Sequence, residues 1–171
     1  MNSLGIDLTI AAIVVLLGMS AFFSGSETAL TAASRARMNR LAEEKNRRAR
    51  LVLTLTDDLE RLIGALLLGN NLVNILASSL ATSVFVALFG DAGVVYATLI
   101  MTALVVIFAE VMPKTYAITN TDRFALAVAP LVRVVLTVFT PVTVAVRFIV
   151  RGTLGIFGIE LDHLTEILDR L

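Results

Sequence analysis

Long uncharged stretches separated by charged segments are the dominant pattern along this chain. Residues 8–26 carry no charge over nineteen positions, and residues 62–90 carry none over twenty-nine. A third uncharged stretch begins after Asp91 and continues to Glu110. Because about 20 apolar residues cross a bilayer as a helix, the pattern predicts three transmembrane helices, at 8–26, 62–90 and 94 to about 112.

Two polar segments separate these predicted spans. Residues 90–93 read Gly-Asp-Ala-Gly, which is typical of a tight turn. Residues 35–58 are charged and helix-favouring with apolar positions between the charges, and they predict a short helical hairpin at the membrane surface. Seven of the chain's 14 Lys and Arg residues fall within 35–50. The positive-inside rule therefore places this hairpin in the cytoplasm and the N-terminus outside.

A fourth apolar region, residues 124–150, is interrupted by proline and arginine. The interrupting residues are Pro130, Arg133, Pro141 and Arg147. Between Arg133 and Arg147 the chain carries no charge for thirteen residues, which is too short a run to cross a membrane. We predict two or three short helices packed along the inner membrane face, with the C-terminus in the cytoplasm. The polar, amphipathic residues 161–171 are expected to begin a linker helix.

Composition supports a membrane protein, because 57% of residues are hydrophobic and only 16% are charged, against about 45–50% and 25% in soluble domains. The chain has no cysteine, which excludes disulfides and thiolate metal sites. The predicted fold class is an all-α integral membrane protein with three transmembrane helices and a belt of short cytoplasmic-side juxtamembrane helices. No nucleophile–base pair or phosphate loop is present, so we predict no enzyme. No nucleic-acid motif accompanies the basic residues, which are expected to face membrane lipid.

Glu110 is the ionisable residue that lies deepest in a predicted span, and such residues mark functional sites by default. Three positions later, Pro113 has no N–H to offer the carbonyl of Ala109, and its ring crowds that oxygen. We therefore predict a helix break that leaves a carboxylate beside a main-chain carbonyl. Both are hard oxygen ligands, which suit Mg²⁺ or Ca²⁺.

The other two predicted spans also carry polar residues, each beside a glycine. The first has Ser24, Ser26 and Glu27 around Gly25, and the second has Asn70, Asn71 and Asn74 after Gly69. Asn70 and Asn74 share one helix face, whereas Asn71 points about 100° away. We expect the two glycines and Pro113 to soften their helices. Together these groups form a small oxygen cage of low charge, which would bind a hard divalent ion weakly enough to release it, as a transporter requires.

Each polar residue also has a structural interpretation. Small residues pack helices together, asparagine bonds neighbouring helices, Lys114 could neutralise Glu110 at i+4, and Glu27 could pair with a basic residue. On that basis the domain would be a membrane scaffold or sensor for a cytoplasmic module. A passive divalent-cation channel is a further alternative. Small residues that could form a dimer face are Gly18, Ala77, Ser78 and Ala81.

Three motifs resemble the signatures of the transmembrane domain of the CorC/CNNM magnesium transporter family. They are Ser-Gly-Ser-Glu-Thr-Ala at 24–29, Gly-Asn-Asn-Leu-Val-Asn at 69–74 and Ala-Glu-Val-Met-Pro-Lys at 109–114. The resemblance implies a homodimer in the plasma (inner) membrane that exports Mg²⁺, with inward Na⁺ as the coupling ion. The implied ion ligands are Ser24, Asn70, Asn74, Glu110 and a main-chain carbonyl near Ala109, with Ser26 as a less direct candidate.

Two departures from the family pattern stand out. The family often has glycine before the motif glutamate, where this chain has Ala109. Family members usually continue into a cytoplasmic CBS pair that binds nucleotide, which this chain does not include. We therefore assign residues 1–160 to a CorC/CNNM-like transmembrane domain and residues 161–171 to the start of a linker.

Overall fold

Every element that the computed structural model describes, over residues 3–156, is helical. The elements are α1 Ser3–Ala32, α2 Arg35–Glu43, α3 Arg47–Thr56, α4 Leu59–Phe89, a 3-10 turn Gly90–Ala92, α5 Gly93–Leu104, a π-helical segment Val105–Val111, α6 Met112–Thr119 and α7 Thr121–Ile156. The predicted linker at 161–171 lies outside the described residues.

Three continuous helical stretches are long and apolar enough to cross a membrane: Gly5–Ala32, Leu59–Thr119 and Thr121–Val142. The second is 61 residues long and reverses at the 3-10 turn, so that Met101 of α5 packs against Ala77 and Ala81 of α4. Gly90 permits the reversal with a φ of +61°, which glycine adopts without steric cost. The all-α membrane fold, the turn and the antiparallel pair of helices are confirmed.

The first helix, α1, lies at the centre of the bundle. It packs against α4, against the π-helical segment and α6, and against α7. Its last turns are enclosed on several sides, because Ala29 and Leu30 are fully buried in the main core together with residues of α2, α3, α4 and α7. This packing continues the helix to Ala32, six residues past its predicted end.

The basic segment forms the expected helical hairpin, α2 and α3. Side chains cap both helices: the Ser34 hydroxyl accepts from the Arg37 N–H at 3.4 Å, and the Asn46 amide oxygen accepts from the Arg48 N–H at 3.0 Å. Such caps satisfy amide groups that the first helical turn leaves unpaired. Met38 and Val52 point towards the core and are buried, so the charged face of the hairpin lies on the surface of the protein.

The prediction of two or three short helices over 124–150 is wrong, because α7 is one helix of 36 residues that continues through Pro130 and Pro141. A proline removes one main-chain hydrogen bond, and neighbouring packing can outweigh that loss. Here the packing is a continuous buried stripe at helical spacing, made of Ala125, Val128, Ala129, Val132 and Leu136. The prolines were therefore a poor guide to where this helix ends.

Helix α7 lies across one end of the bundle. Near its start, Asp122 accepts a hydrogen bond from the Ser34 N–H (3.0 Å), just beyond α1. Near residue 140, the Thr140 hydroxyl accepts from Arg61 (2.7 Å), in the first turn of α4. These two α7 residues are 18 positions apart, or about 27 Å along a helix, yet both contact the end of the bundle where α2 and α3 pack. We call this the basic end.

The third predicted helix does not stop near Met112. It passes through the π-helical segment and continues as α6 to Thr119. The expected dimer face also changes, because Ala77 and Ala81 are buried between α4, α1 and α5 within one chain and have no surface to offer a second copy.

Candidate functional site

A buried hydrogen-bond network connects α1 to α4 near the middle of both helices. The Ser20 hydroxyl donates to the side-chain oxygen of Asn70 at 2.6 Å, and the side-chain amide of Asn74 donates to the same oxygen at 3.5 Å. Ser20 is fully buried and Asn70 is 8% exposed. Asn70 and Asn74 therefore share one face as expected, and Asn71 points outward and is exposed.

Three buried oxygens on α1 and α4 have no hydrogen-bond partner among the described residues. They are the hydroxyl oxygens of Ser24 and Ser26 and the side-chain oxygen of Asn74. A buried polar atom left unpaired costs roughly 1–3 kcal/mol, so native folds rarely retain several of them without a reason. All three belong to residues that the sequence motifs single out. Ser24 and Ser26 are two positions apart on a regular helix and point about 200° apart, so one bound cation would satisfy only one of these two serines.

The two glycines of the motifs are points of close approach. A Cβ on Gly69 would lie 2.8 Å from the ring of Phe23, and a Cβ on Gly25 would lie 3.2 Å from the ring of Phe124 and 3.4 Å from the Pro113 carbonyl oxygen. Both α1 and α4 are regular α-helices through these positions. The expected softening at Gly25 and Gly69 is therefore wrong. The glycines instead bring the first motif against the second and the third.

The third motif begins at the end of the π-helical segment. The Met112 N–H donates to the Ile107 carbonyl, five residues back, and Pro113 follows without an N–H for Ala109. The predicted break is thus a change in hydrogen-bond register inside a continuous helix. Such π-segments are rare and often occur at functional sites. Ala109 is fully buried, and Glu110 beside it is half-buried.

The Glu110 carboxylate makes no hydrogen bond or ion pair within the described part of the chain. In particular, Lys114 is not within ion-pair distance, so the neutralising pair considered from the sequence does not form. Glu27 is half-buried and likewise has no ion pair to another described residue. Over residues 3–156, no group of three His, Cys, Asp or Glu side chains converges on one point. The motifs therefore offer two carboxylates, Glu27 and Glu110, and neither has an ion pair with another described residue.

A cleft of about 440 Å³ opens between α4 and α5 on the side of Asn74. Its polar lining consists of Asn74, Ser78, Thr82, Thr98 and Thr102. These side chains recur at intervals of four along each helix, so each helix presents a polar stripe to the cleft. The stripe runs from Asn74 towards the 3-10 turn, at the end of the bundle opposite the basic end.

Ser20 is the functional-site residue that sequence reasoning missed. It lies four residues before Ser24 on α1 and hence on the same helix face, which was the available signal. It was overlooked because it falls outside the Ser-Gly-Ser-Glu motif, in a stretch where the neighbours are apolar.

Comparison with known proteins supports the motif assignment. The family described as "Cyclin M transmembrane N-terminal domain" matches residues 11–170. The UPF0053 inner membrane protein YfjD of Escherichia coli K12 is 41% identical over 144 residues, covering 84% of this chain and 34% of YfjD. A UPF0053 protein of Haemophilus influenzae is 31% identical over 168 residues, covering 98% of this chain and 40% of that protein.

A third relative is a chloroplastic DUF21 domain-containing protein of Arabidopsis thaliana. It is 34% identical over 148 residues, covering 86% of this chain and 22% of the relative. This chain thus spans well under half the length of each of these three relatives. Its helices, its three motifs and the family match agree: the chain is a multi-pass membrane protein and belongs to the CorC/CNNM family, of which it forms the transmembrane domain.

Proposed function

We propose that this domain moves Mg²⁺ out of the cytoplasm, with inward Na⁺ movement as the driving reaction. The observation that carries the proposal is that three buried oxygens, on Ser24, Ser26 and Asn74, have no hydrogen-bond partner among the described residues, in a family whose membrane domain is consistent with ion transport. The proposed ion ligands are Ser24, Asn70, Asn74, Glu110 and the carbonyl of Ala109, with Ser26 as a less direct candidate.

The chemistry of this set suits an ion that must be both bound and released. Glu110 supplies one full negative charge, and hydroxyl, amide and carbonyl oxygens replace part of the hydration shell. Mg²⁺ prefers oxygen ligands in a small octahedral shell and retains several waters. A half-buried carboxylate with neutral oxygens therefore favours moderate affinity over permanent binding.

The proposed path runs between the two ends of the bundle. The positive-inside rule assigns the basic end to the cytoplasm, and the cleft lined by Asn74 and Thr98 leads towards the opposite end. Helix irregularity beside a buried ion site, here the π-helical segment, is a recurrent feature of transporters. The resemblance to the CorC/CNNM family is the basis on which we propose sodium coupling and a homodimer, and we propose that any regulation by nucleotide requires the cytoplasmic CBS domains of longer members.

Mg²⁺ titration calorimetry on the detergent-purified chain tests the ion site. We expect Glu110→Gln to weaken Mg²⁺ binding at least tenfold, because the only full charge in the site is removed while the side chain keeps its size. Asp91→Asn in the 3-10 turn is the matched control, since it removes a carboxylate far from the motifs. Equal Mg²⁺ affinity in Glu110→Gln and the wild type would contradict the proposed site.

Two further measurements separate the alternatives. Divalent-dependent thermal stabilisation that is lost in Asn70→Ala but kept in Asn71→Ala would exclude a scaffold without an ion. Proteoliposome flux then separates an exchanger from a passive channel. We expect Mg²⁺ flux against its own gradient when a Na⁺ gradient is imposed, which a passive channel cannot produce.

A further inference from the structure

A cavity of about 580 Å³ lies at the basic end, outside the proposed ion site. It lies between the α2–α3 connection and the junction of α6 with α7. Its polar lining includes Arg37, Asn46, Asn120, Thr121, Asp122 and Arg123. The volume falls within the roughly 300–1,000 Å³ of small-ligand sites, so the cavity is large enough to hold a charged headgroup.

The cavity carries an excess of positive charge. Both oxygens of the Asp122 carboxylate are already engaged, one by the Ser34 N–H at 3.0 Å and the other by the Arg37 guanidinium at 3.1 Å. Arg123, by contrast, is exposed, and its guanidinium makes no hydrogen bond or ion pair with any described residue. Two arginines against one carboxylate leave a net charge of +1, and this charge lies on a guanidinium that is free to bind an anion.

The position of the cavity indicates what kind of anion would reach it. Leu41, Ile118 and Leu126 supply apolar lining beside the arginines. Ile118 is 64% exposed, and Val111, seven residues earlier and hence on the same helix face, is 56% exposed, so the helix that ends in α6 presents an apolar surface that leads up to the cavity. A ligand with a negative head and an apolar body matches both features.

We propose that this cavity binds the phosphate of an anionic phospholipid, with the acyl chains lying along the exposed face of α6. Arg123 donates to the phosphate oxygens, and the guanidinium nitrogens of Arg37 that Asp122 leaves free add a second contact. Arginine suits this role because its planar fork of donors matches phosphate geometry. Seven basic residues within 35–50 draw anionic lipid towards this end of the molecule. The site is separate from ion transport and does not depend on it.

The test compares short-chain lipids added to the detergent-purified chain. Dioctanoyl phosphatidylglycerol, dioctanoyl phosphatidylcholine and inorganic phosphate are titrated separately, and thermal unfolding reports binding by stabilisation of the folded state. We expect phosphatidylglycerol to raise Tm at lower concentration than either of the other two. In Arg123→Gln the apparent affinity for phosphatidylglycerol should fall about tenfold, the usual loss for one charge-assisted contact.

Arg133→Gln is the matched control, because Arg133 is an exposed arginine on α7 away from the cavity, and we expect it to bind like the wild type. Equal stabilisation by phosphatidylcholine, or an equal loss in both arginine variants, would overturn the proposal. Phosphate that binds as tightly as phosphatidylglycerol would identify a site for a free anion and overturn the lipid assignment. The headgroup comparison on the wild type decides the question even if Arg123→Gln does not fold.

Discussion

Ser20 and Ser24 are one helical turn apart, and both are fully buried, yet they differ in hydrogen bonding. The Ser20 hydroxyl donates to Asn70 at 2.6 Å, whereas the Ser24 hydroxyl has no partner among the described residues. Removing a hydroxyl that bonds two helices together should lower the stability of the protein, whereas removing a hydroxyl without a partner should affect ligand binding alone. The pair therefore offers a test within a single helix.

We expect Ser24→Ala to leave the unfolding temperature of the ion-free protein unchanged or slightly higher, because no hydrogen bond is lost, and to weaken Mg²⁺ binding. Ser20→Ala should lower the stability of the ion-free protein by about 1–2 kcal/mol, because the Asn70 oxygen loses its shortest contact in a buried place. Thermal unfolding with and without Mg²⁺ measures both effects. A stability loss in Ser24→Ala that matches Ser20→Ala would show that both serines act structurally.

Gly69 gives a second test at this scale. A Cβ there would lie 2.8 Å from the Phe23 ring, and Phe23 is itself buried, so neither side can move freely. We expect Gly69→Ala to destabilise the fold by about 1–3 kcal/mol through overpacking. Adding Phe23→Leu should recover part of the loss, which a double-mutant cycle measures as a favourable coupling energy. Strict additivity of the two changes would argue against the contact.

Sequence reasoning identified the motif residues through their chemistry. Ser24, Ser26 and Asn74 are polar in apolar helices, and the structure leaves all three with unpaired oxygens. The same reasoning gave Gly25 the wrong role. A glycine that loosens a helix and a glycine that allows a neighbouring ring to approach cannot be distinguished from the amino-acid sequence alone. Only the position of Phe124 distinguishes them, and that residue is 99 positions further along the chain.

Among the elements, the π-helical segment is the one in which a sequence feature, Pro113, is linked most directly to the proposed ion site. Pro113 predicted a disturbance in the helix, and the disturbance appears as π-type hydrogen bonding at Val105–Val111 with no end to the helix. Proline makes the loss of one main-chain hydrogen bond unavoidable. Contacts with neighbouring helices decide whether the helix then ends or changes its hydrogen-bond register. Here α1 packs along both the segment and α6, and helix continuity is preserved.

Pro113→Ala restores an N–H that can pair with the Ala109 carbonyl. We expect this variant to unfold at a higher temperature, because a helix-interior proline is unfavourable by about 3 kcal/mol relative to alanine before packing is counted, and to bind Mg²⁺ more weakly. Pro130→Ala in α7 is the control, since it removes a helix proline away from the motifs and should leave Mg²⁺ affinity unchanged. Calorimetry and thermal unfolding of both variants check the expectation, and equal Mg²⁺ affinity in both would contradict it.

Helix α7 shows why the rest of the fold was harder to predict. The sequence predicts two or three short helices over 124–150, because proline and arginine each favour the end of a membrane helix. The residues concerned include Pro130, Arg133 and Pro141. The buried stripe from Ala125 to Leu136 outweighs them. Its spacing was visible in the sequence, but its partners on α1, α3 and α4 were not. Existence and burial of the long helices were predictable, whereas continuity depended on contacts between distant segments.

At the scale of the whole molecule, the two ends of the bundle differ in charge and in construction. The basic end carries α2, α3 and α7, and within residues 3–156 the opposite end carries the start of α1 and the turn at Gly90–Ala92. Because α7 is anchored at both Ser34 and Arg61, it lies along the basic end and does not run antiparallel to α4. This arrangement favours three crossings, with the start of α1 opposite the basic end.

The absence of cysteine from the chain makes this topology directly testable. We expect Asp91→Cys to react with a membrane-impermeant maleimide in intact cells, because the positive-inside rule predicts that the turn lies outside. Glu43→Cys at the end of α2 should react only after the membrane is opened. The reverse pattern would invert the assignment, and labelling of both in intact cells would contradict a fixed orientation.

The two anchors of α7 also have a mechanical consequence. They brace α1 and α4 against each other at one end, so these helices cannot separate there without breaking the Asp122 or Thr140 contact. Arg61 is nine residues, or about 14 Å, from Asn70 on the same rigid helix. A tilt of α7 would therefore act as a lever on α4 and displace Asn70 relative to Ser20. A force on α7 would therefore be transmitted, through two hydrogen bonds, to the buried contact between Ser20 and Asn70.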